Sequence, residues 1–249
     1  DHATLTREVS DTQLAAQLAH KAGEIALALR TEGLLQGRAL GDAGDKTANV
    51  FLMAAIRQHR PADAILSEES EDSEARLGHS RVWIIDPVDG TREFAEGRDD
   101  WAVHVGLAVD GIAQIGAVGL PALGKVLSSD VDTRTQPHPA TGKIAVSRSR
   151  PPAEARKVAD QLGMELLPMG SAGAKAMAVV RGEADAYLHS GGQFEWDNCA
   201  PVAGAQAHGL HCSRIDGEPL AYNRAGASLP DLLICREDLA QPILRAIAQ

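Results

Sequence analysis

Aromatic residues, cysteines and positive charge are all scarce in this sequence, and each shortage closes a class of function. Phe, Trp and Tyr together make up 3% of the 249 residues, too few for the stacking platforms that hold single-stranded nucleic acid. Lys and Arg number 24 against 34 Asp and Glu, a formal net charge of −10. With no basic stripe to neutralise a phosphate backbone, DNA and RNA polymers are excluded as partners. The three cysteines, Cys199, Cys212 and Cys235, are irregularly spaced and odd in number. They read as reduced thiols of a cytoplasmic protein, not as a disulfide framework. No apolar run is long enough to cross a bilayer, which excludes a transmembrane helix. The opening Asp1-His2-Ala3-Thr4-Leu5-Thr6 shows neither the basic nor the apolar region of a secretory signal. A small phosphorylated substrate stays allowed, because bound metal ions reverse the sign of the field locally.

What remains is a chain that is 44% hydrophobic, long enough for one large domain or two fused lobes. Ser10 and Gln13 stand at capping-box spacing and open a helix to about Arg30, with Leu14, Leu18, Ile25 and Leu29 as its apolar stripe. Gly33 to Gly44 reads as a glycine-rich loop ending at Asp45, followed by a helix over Ala48–Arg60 that stops at Pro61. Ala64–Ser67 and Val82–Ile85 are short strands, and Trp101–Val109 and Ile112–Val118 are β-rich runs joined by the hairpin dipeptide Asp110-Gly111. Further strands are predicted at Lys125–Ser129, Lys143–Ser147 and Leu232–Cys235. Helices are predicted at Ala153–Leu162, Ala172–Arg181, Asn198–His208 and Leu239–Ile247. Thr133–Gly142 carries two prolines and is the expected boundary between a lobe of residues 1–140 and one of residues 141–249. The class is a layered α/β fold with mainly antiparallel or mixed sheets.

The densest chemistry lies in Trp83-Ile84-Ile85-Asp86-Pro87-Val88-Asp89-Gly90-Thr91. Pro87 biases Asp86 toward an extended conformation at the strand end, and Gly90 permits the bend that turns Asp89 back toward it. Alone, Asp-Pro and Asp-Gly are ordinary turn dipeptides. Read as a site, two carboxylates that would otherwise repel hold a hard divalent cation, magnesium first among them, and Thr91 begins a helix whose N-terminus suits phosphate. Further acids stand at element ends: Glu68 after a strand, Asp197 opening a helix as its cap, and Asp45 closing the glycine-rich segment. Each alone is equally a cap or a solvated face.

In combination, Ser67-Glu68-Glu69-Ser70, the Trp83–Thr91 run and Trp196-Asp197 resemble, in order and spacing, the signatures of the inositol monophosphatase superfamily. The resemblance implies a sugar-phosphatase-like α-β-α-β-α sandwich, two or three magnesium ions, and inhibition by lithium. It implies Glu68, Asp86, Asp89, Asp197 and the Val88 carbonyl as metal ligands. Asp45 and Thr91 would position and deprotonate the attacking water, although Gly41-Asp42-Ala43-Gly44-Asp45 departs from the family's usual Val-Thr-x-x-Asp. Members are often homodimers.

Three further stretches resemble the bisphosphate nucleotidases of the CysQ type: Thr91-Arg92-Glu93-Phe94, Val146-Ser147-Arg148-Ser149 and Gly170-Ser171-Ala172-Gly173-Ala174-Lys175. That subgroup removes the 3′-phosphate of 3′-phosphoadenosine 5′-phosphate, a by-product of sulfate assimilation, and the sulfated nucleotide is a related substrate. The implied substrate contacts are Gly90, Thr91, Ser147, Arg148, Ser171, Lys175 and Asp197. Arg148 is chemically apt for a second phosphate. Gly191–Glu195 is expected as a flexible pocket wall. His208, His211 and Cys212 read as a helix end more readily than as a zinc site. Inositol-1-phosphate and fructose-1,6-bisphosphate are the alternative substrates, since the core motifs are shared. The motif yields a direct test: Asp86→Asn abolishes magnesium-dependent phosphate release even at saturating magnesium, and full retention of activity would refute the metal reading.

Overall fold

The computed structural model describes residues 8–130 and 138–249. The first part of the chain forms α1 (Asp11–Thr31), α2 (Gly37–His59), β1 (Ala64–Ser67), β2 (Arg81–Asp89), α3 (Thr91–Ala95), β3 (Ala102–Val109), β4 (Ile112–Leu120) and β5 (Lys125–Ser128). The second forms β6 (Lys143–Ser147), α4 (Ala153–Leu162), β7 (Glu165–Met169), α5 (Ala172–Val180), β8 (Ala186–Phe194), α6 (Glu195–Ala207), β9 (His211–Ser213), β10 (Ser228–Cys235) and α7 (Ala240–Ala248).

Two five-stranded sheets result, ordered β1-β2-β3-β4-β5 and β7-β6-β8-β10-β9. In the first, only the β1–β2 pairing is parallel. In the second, β6 runs parallel to both β7 and β8, while β10 is antiparallel to β8 and β9. Both sheets are thus mixed. Helices α1 and α2 cover one face of the first sheet, α5 and α6 lie between the sheets, and α4 and α7 cover the far face of the second. This is the layered α-β-α-β-α arrangement expected from the sequence.

Strand alternation explains why the first sheet is apolar on both sides. Trp83 and Ile85 of β2 join the core under α1 and α2, while their neighbours Val82 and Ile84 join the core against α5 and α6. The capping box at Ser10 forms as predicted: Ser10 Oγ accepts from the Gln13 N–H, and Gln13 Oε1 accepts from the Ser10 N–H, both at 3.2 Å. The β3–β4 hairpin turns on Asp110 (φ +51°) and Gly111 (φ +80°), the pair of positive φ angles that such a tight turn demands.

Several elements differ from the sequence reading. The segment Gly33–Gly44, expected as a loop, is largely the first turns of α2, so Asp45 sits inside a helix. Its glycines serve helix packing: a Cβ on Gly44 would stand 2.6 Å from the Phe94 ring and one on Gly41 3.0 Å from Thr91 Cγ2. Strands β7, β8 and β9 were not expected, and Gly191–Phe194, expected as a flexible wall, is the end of β8, with Gln193 paired to Leu229 and Phe194 to Ser228. Helix α6 begins at Glu195, which places Asp197 in its first turn and not at the cap. Of the expected boundary Thr133–Gly142, residues 133–137 lie outside the described residues, as does Asp1–Thr6. Among the described residues no helix is long and apolar enough to cross a membrane.

One contact governs where α6 lies. A Cβ on Gly116 would be 2.5 Å from the Ala200 carbonyl oxygen, and one on Gly106 would be 2.9 Å from the Ala200 nitrogen. Helix backbone therefore rests directly on sheet backbone, which only glycine allows. Gly116→Ala is expected to destabilise the fold by about 1–3 kcal/mol through overpacking. Gly78→Ala, where an added Cβ meets nothing within 4 Å, should stay within about 0.5 kcal/mol of the parent. Urea unfolding of the two variants checks the difference.

Candidate active site

The end of β2 and the first turn of α6 bring three carboxylates together. One oxygen each from Asp86, Asp89 and Asp197 lies within 4.8 Å of the others. Asp86 is in β2, opposite His104 of β3 across a register break between Asp86 and Asp89. That irregularity, at Pro87-Val88, turns Asp89 toward the same centre, as a bulge re-aims a side chain. Asp197 arrives from the other side because α6 rests on the glycine floor of β3 and β4.

The three acids have very different surroundings. Asp89 is buried, and its Oδ2 accepts from Ser171 Oγ at 2.5 Å and from the Gly173 N–H at 2.7 Å. His104 Nε2 is 2.9 Å from the same oxygen, but off the hydrogen-bonding line, so that contact is an ion pair. Burial alone would raise the Asp89 pKa, but the His104 charge and these donors pull it down to about 2. His104 has its other nitrogen, Nδ1, 2.8 Å from the Trp196 carbonyl. Both ring nitrogens therefore face acceptors, which is an imidazolium's arrangement. Burial disfavours that charge, but Asp89 outweighs it and the His104 pKa is raised.

Asp86 has no such support. Its Oδ1 is buried without a hydrogen-bond partner. Burial, then the charges of Glu68 and Asp89, push its pKa well above the ordinary carboxylate range. Glu68 interacts with it, and its own pKa is raised too, by burial first. Asp197 is raised to about 7 by burial and then by Asp89, while the Phe194 N–H donates to its Oδ2 at 2.8 Å. An unpartnered buried carboxylate oxygen among like charges, all hard oxygen donors, fits a hard divalent cation. Asp86, Asp89 and Asp197 would hold it, with Glu68 alongside.

Asp45 and Thr91, expected to act on one water, are in contact, although Asp45 comes from a helix. Thr91 Oγ1 lies 3.0 Å from Asp45 Oδ1 and 3.1 Å from the Val88 carbonyl oxygen. The close packing of α2 on α3 at Gly41 and Gly44 makes this reach possible. Burial, and then the charge of Glu69, raise the Asp45 pKa to about 7. Gly90, at φ +82°, sets the turn into α3; a Cβ there would meet Ser171, Asp100 and Glu93 within 3.3 Å.

The expected substrate contacts divide. Ser171, expected to meet the nucleotide, donates to Asp89 and accepts from the Ala174 N–H at 3.0 Å, so it orients a carboxylate of the site. Ser147 Oγ accepts from the Arg150 N–H at 3.2 Å within its own turn. Arg148 is half-exposed, with Nη2 2.5 Å from Asp100 and Nη1 3.7 Å from Glu93. Lys175 is buried; its Nζ reaches the Met169 carbonyl at 3.4 Å and lies 5.4 Å from the Tyr187 ring centre. Burial lowers its pKa to about 8. His208, by contrast, ends α6 with Nδ1 2.8 Å from the Gly204 carbonyl, as a helix end.

His104, Glu93 and Asp100 were missed. His104 had a readable signal, since the β2–β3 pairing implied by the sequence sets this lone polar residue of an apolar strand opposite Asp86. Asp100 had little, because two of the groups that lower its pKa to about 2 against its burial, Arg148 and the Gly170 N–H, come from far along the chain, and only Arg98 is a near neighbour. Another unexpected feature is an aromatic pair beside Asp197. Phe194, 48% exposed, stacks on Trp196 with ring centres 4.8 Å apart and planes at 13°.

The chain is similar to known proteins in sequence and in fold. A model of the inositol monophosphatase family matches residues 9–243. A 3′-phosphoadenosine 5′-phosphate phosphatase of Mycobacterium leprae is 50% identical, over 97% of this chain and 95% of that protein. The 3′(2′),5′-bisphosphate nucleotidase CysQ of Escherichia coli K12 is 30% identical, over 72% of this chain and 78% of its own. In fold, the chain is similar to CysQ from Bacteroides thetaiotaomicron, with a TM-score of 0.77 at 22% identity, over 91% of this chain and 97% of that one. It is equally similar to inositol monophosphatase II from Staphylococcus aureus, with a TM-score of 0.79 at 21% identity, over 93% and 92% of the two chains.

The raised carboxylates dictate a pH dependence. A cation bound by Asp86 and Asp197 would displace their protons, so magnesium affinity is expected to fall as pH drops below about 7, by up to about tenfold per pH unit for each proton released. For the metal-free fold the sign is opposite. With folded-state values near 7 against an ordinary 3.8, Asp45 and Asp197 favour the fold most at low pH, and that contribution is lost as pH rises from about 4 to about 7. Calorimetry in buffers of different ionisation heat, and thermal unfolding with and without magnesium, measure the two effects.

Proposed function

This chain belongs to the inositol monophosphatase family, and we propose that it is a magnesium-dependent phosphatase that removes the 3′-phosphate of 3′-phosphoadenosine 5′-phosphate. The observation that carries the reading is the Thr91–Asp45 contact at 3.0 Å beside the cluster of Asp86, Asp89 and Asp197. A base and its orienting hydroxyl stand next to a cation site, as hydrolysis of a phosphate ester requires. The nucleotide as substrate is supported by the 50% identity to the mycobacterial phosphatase and by three features of the site. Lys175 and Arg148 are cations suited to a second phosphate. The exposed Phe194 ring, already stacked on Trp196, offers an apolar surface to a base.

Bound magnesium supplies positive charge that offsets the carboxylates, lowers the pKa of water and stabilises the phosphate oxygens. The residues do the rest. Thr91 holds the Asp45 carboxylate in place. Asp45 takes one proton from the water whose oxygen bonds to the 3′-phosphorus. The bond from phosphorus to the ribose oxygen breaks, and that oxygen leaves as a hydroxyl with a proton from solvent. An Asp45 pKa near 7 suits a base that must both accept and return a proton at neutral pH. His104 and Ser171 fix Asp89, and Gly90 opens the turn on which the phosphate rests.

The wider reading has two or three magnesium ions held by Glu68, Asp86, Val88, Asp89 and Asp197, inhibition by lithium, and a homodimer in the cytoplasm. It treats the lobes 1–140 and 141–249 as one functional unit with the site between them. The sulfated nucleotide is a second substrate of the same pocket. Asp45→Asn should lower kcat for 3′-phosphoadenosine 5′-phosphate by about 10²–10⁴-fold with little change in magnesium affinity, as loss of a general base does. Phosphate-release assays across this ester, inositol-1-phosphate and fructose-1,6-bisphosphate should give the highest kcat/KM for the nucleotide. A higher value for either alternative overturns the substrate assignment.

A further inference from the structure

Glu195 is fully buried two residues ahead of Asp197, and the proposed reaction makes no use of it. Its two oxygens are held by the loop before β10: the Asn223 N–H donates to Oε1 at 2.6 Å and the Arg224 N–H to Oε2 at 3.0 Å. Its own N–H donates to the Ala227 carbonyl at 2.8 Å. Burying a carboxylate is costly unless the charge is fully hydrogen-bonded, so an acid here indicates a demand for a fixed geometry that an apolar residue would not meet.

The loop is anchored in turn. Asn223, at φ +56°, accepts from Arg76 Nη1 at 2.9 Å and donates through Nδ2 to the carbonyls of Arg76 and His79 at 3.1 and 3.3 Å. Arg76, 3% exposed, also donates to the Arg224 carbonyl at 2.9 Å and makes a two-pronged pair with Asp72 at 2.7 and 3.0 Å. Asp72 lies four residues after Glu68. A continuous chain of hydrogen bonds therefore links the segment that carries Glu68 to the first turn of the helix that carries Asp197. Within that turn, the Phe194 N–H holds Asp197 and His104 holds the Trp196 carbonyl.

We propose that Glu195 is a positioning residue for the cation site. Through the Arg76–Asn223 strut it fixes the start of α6, and so aims Asp197 at Asp86 and Asp89 in register with Glu68. The inference rests on the reading of Asp197 as a metal ligand.

Glu195→Gln keeps the shape but sets an amide NH₂ against one of the two loop N–H groups. In metal-free, full-length protein at a temperature where it is folded, titration calorimetry should show magnesium binding about tenfold weaker, as when a partner of a metal ligand is removed. The kcat at saturating magnesium should stay within about threefold of the parent, since no group touching the substrate is lost. Ile243→Ala, in the core beneath α7 and away from the strut, is the comparison for general destabilisation and should bind magnesium normally. Equal magnesium affinity in Glu195→Gln and Ile243→Ala overturns the proposal. If Glu195→Gln does not fold, Asn223→Gly decides. It suits the positive φ and keeps both backbone donors to Glu195, yet removes the contacts to Arg76 and His79. Weakened magnesium binding supports the strut, and parental affinity overturns it. Asp197→Asn is run alongside: parental magnesium affinity in that variant would refute Asp197 as a ligand, a failure distinct from that of the strut.

Discussion

The Asp89 carboxylate is the joint on which the site depends. It comes from the first sheet, yet two of its partners, Ser171 and Gly173, belong to the start of α5, and the third, His104, also grips the first turn of α6. One buried charge thereby ties together the first sheet and both central helices. The geometry leaves no slack: a Cβ on Gly173 would fall 2.2 Å from His104 Nε2. Removing any one partner leaves a buried charge or donor unsatisfied, which costs more than the interaction itself contributes. Because His104 offsets the Asp89 charge, the cost of ionisation falls on its neighbours Asp86 and Asp197, whose pKa values are raised.

Around that joint, small residues decide distance. Helix α6 lies on Gly106 and Gly116, and α2 lies on α3 through Gly41 and Gly44. Mid-helix glycine costs about 1 kcal/mol relative to alanine. The return is proximity: Thr91 and Asp45 meet only because their helices pack backbone to side chain, and Asp197 reaches Asp86 only because α6 touches the sheet. The same glycines misled the sequence reading of residues 33–44. Gly and Asp in succession are the composition of a loop, and nothing local distinguishes that from a helix whose glycines face another element. Tertiary packing overrode local preference there.

What could be read from sequence was whatever local chemistry decides. The capping box at Ser10, the Asp110-Gly111 hairpin and the Asp86–Thr91 run each depend on neighbours a few residues apart, and each formed as expected. Glu195 and Asp100 were illegible because their partners are distant: Asn223 and Arg224 for one, Arg148 and Gly170 for the other. For Ser171 the sequence carried no sign of its contact with Asp89, because the two residues are far apart along the chain and only the fold brings them together. The stacked Phe194 and Trp196 show the limit of composition: a 3% aromatic content excludes a long stacking platform but not one well-placed pair.

The overall negative charge and an anionic substrate are compatible because the charges are segregated. Among the acids of the candidate site, Asp89 is offset by His104 and the pKa values of Asp86 and Asp197 are raised, while the neighbouring cations have acids of their own. Arg148 is fixed by Asp100, itself stabilised in its charged form by Arg98, Arg148 and the Gly170 N–H. Lys175 is recessed beneath Gly170-Ser171, where burial lowers its pKa to about 8. A doubly phosphorylated ligand meets both kinds of surface. In the proposed reaction one phosphate would meet a cation held by the carboxylates, and the other would meet the side-chain cations directly. On the proposed function, a ligand with a single phosphate would satisfy only half of this arrangement. A second phosphate would add to the charges of Asp89, Glu93 and Asp100 that already act on buried Lys175, and that added pairing is what would separate nucleotide bisphosphates from sugar monophosphates in this fold.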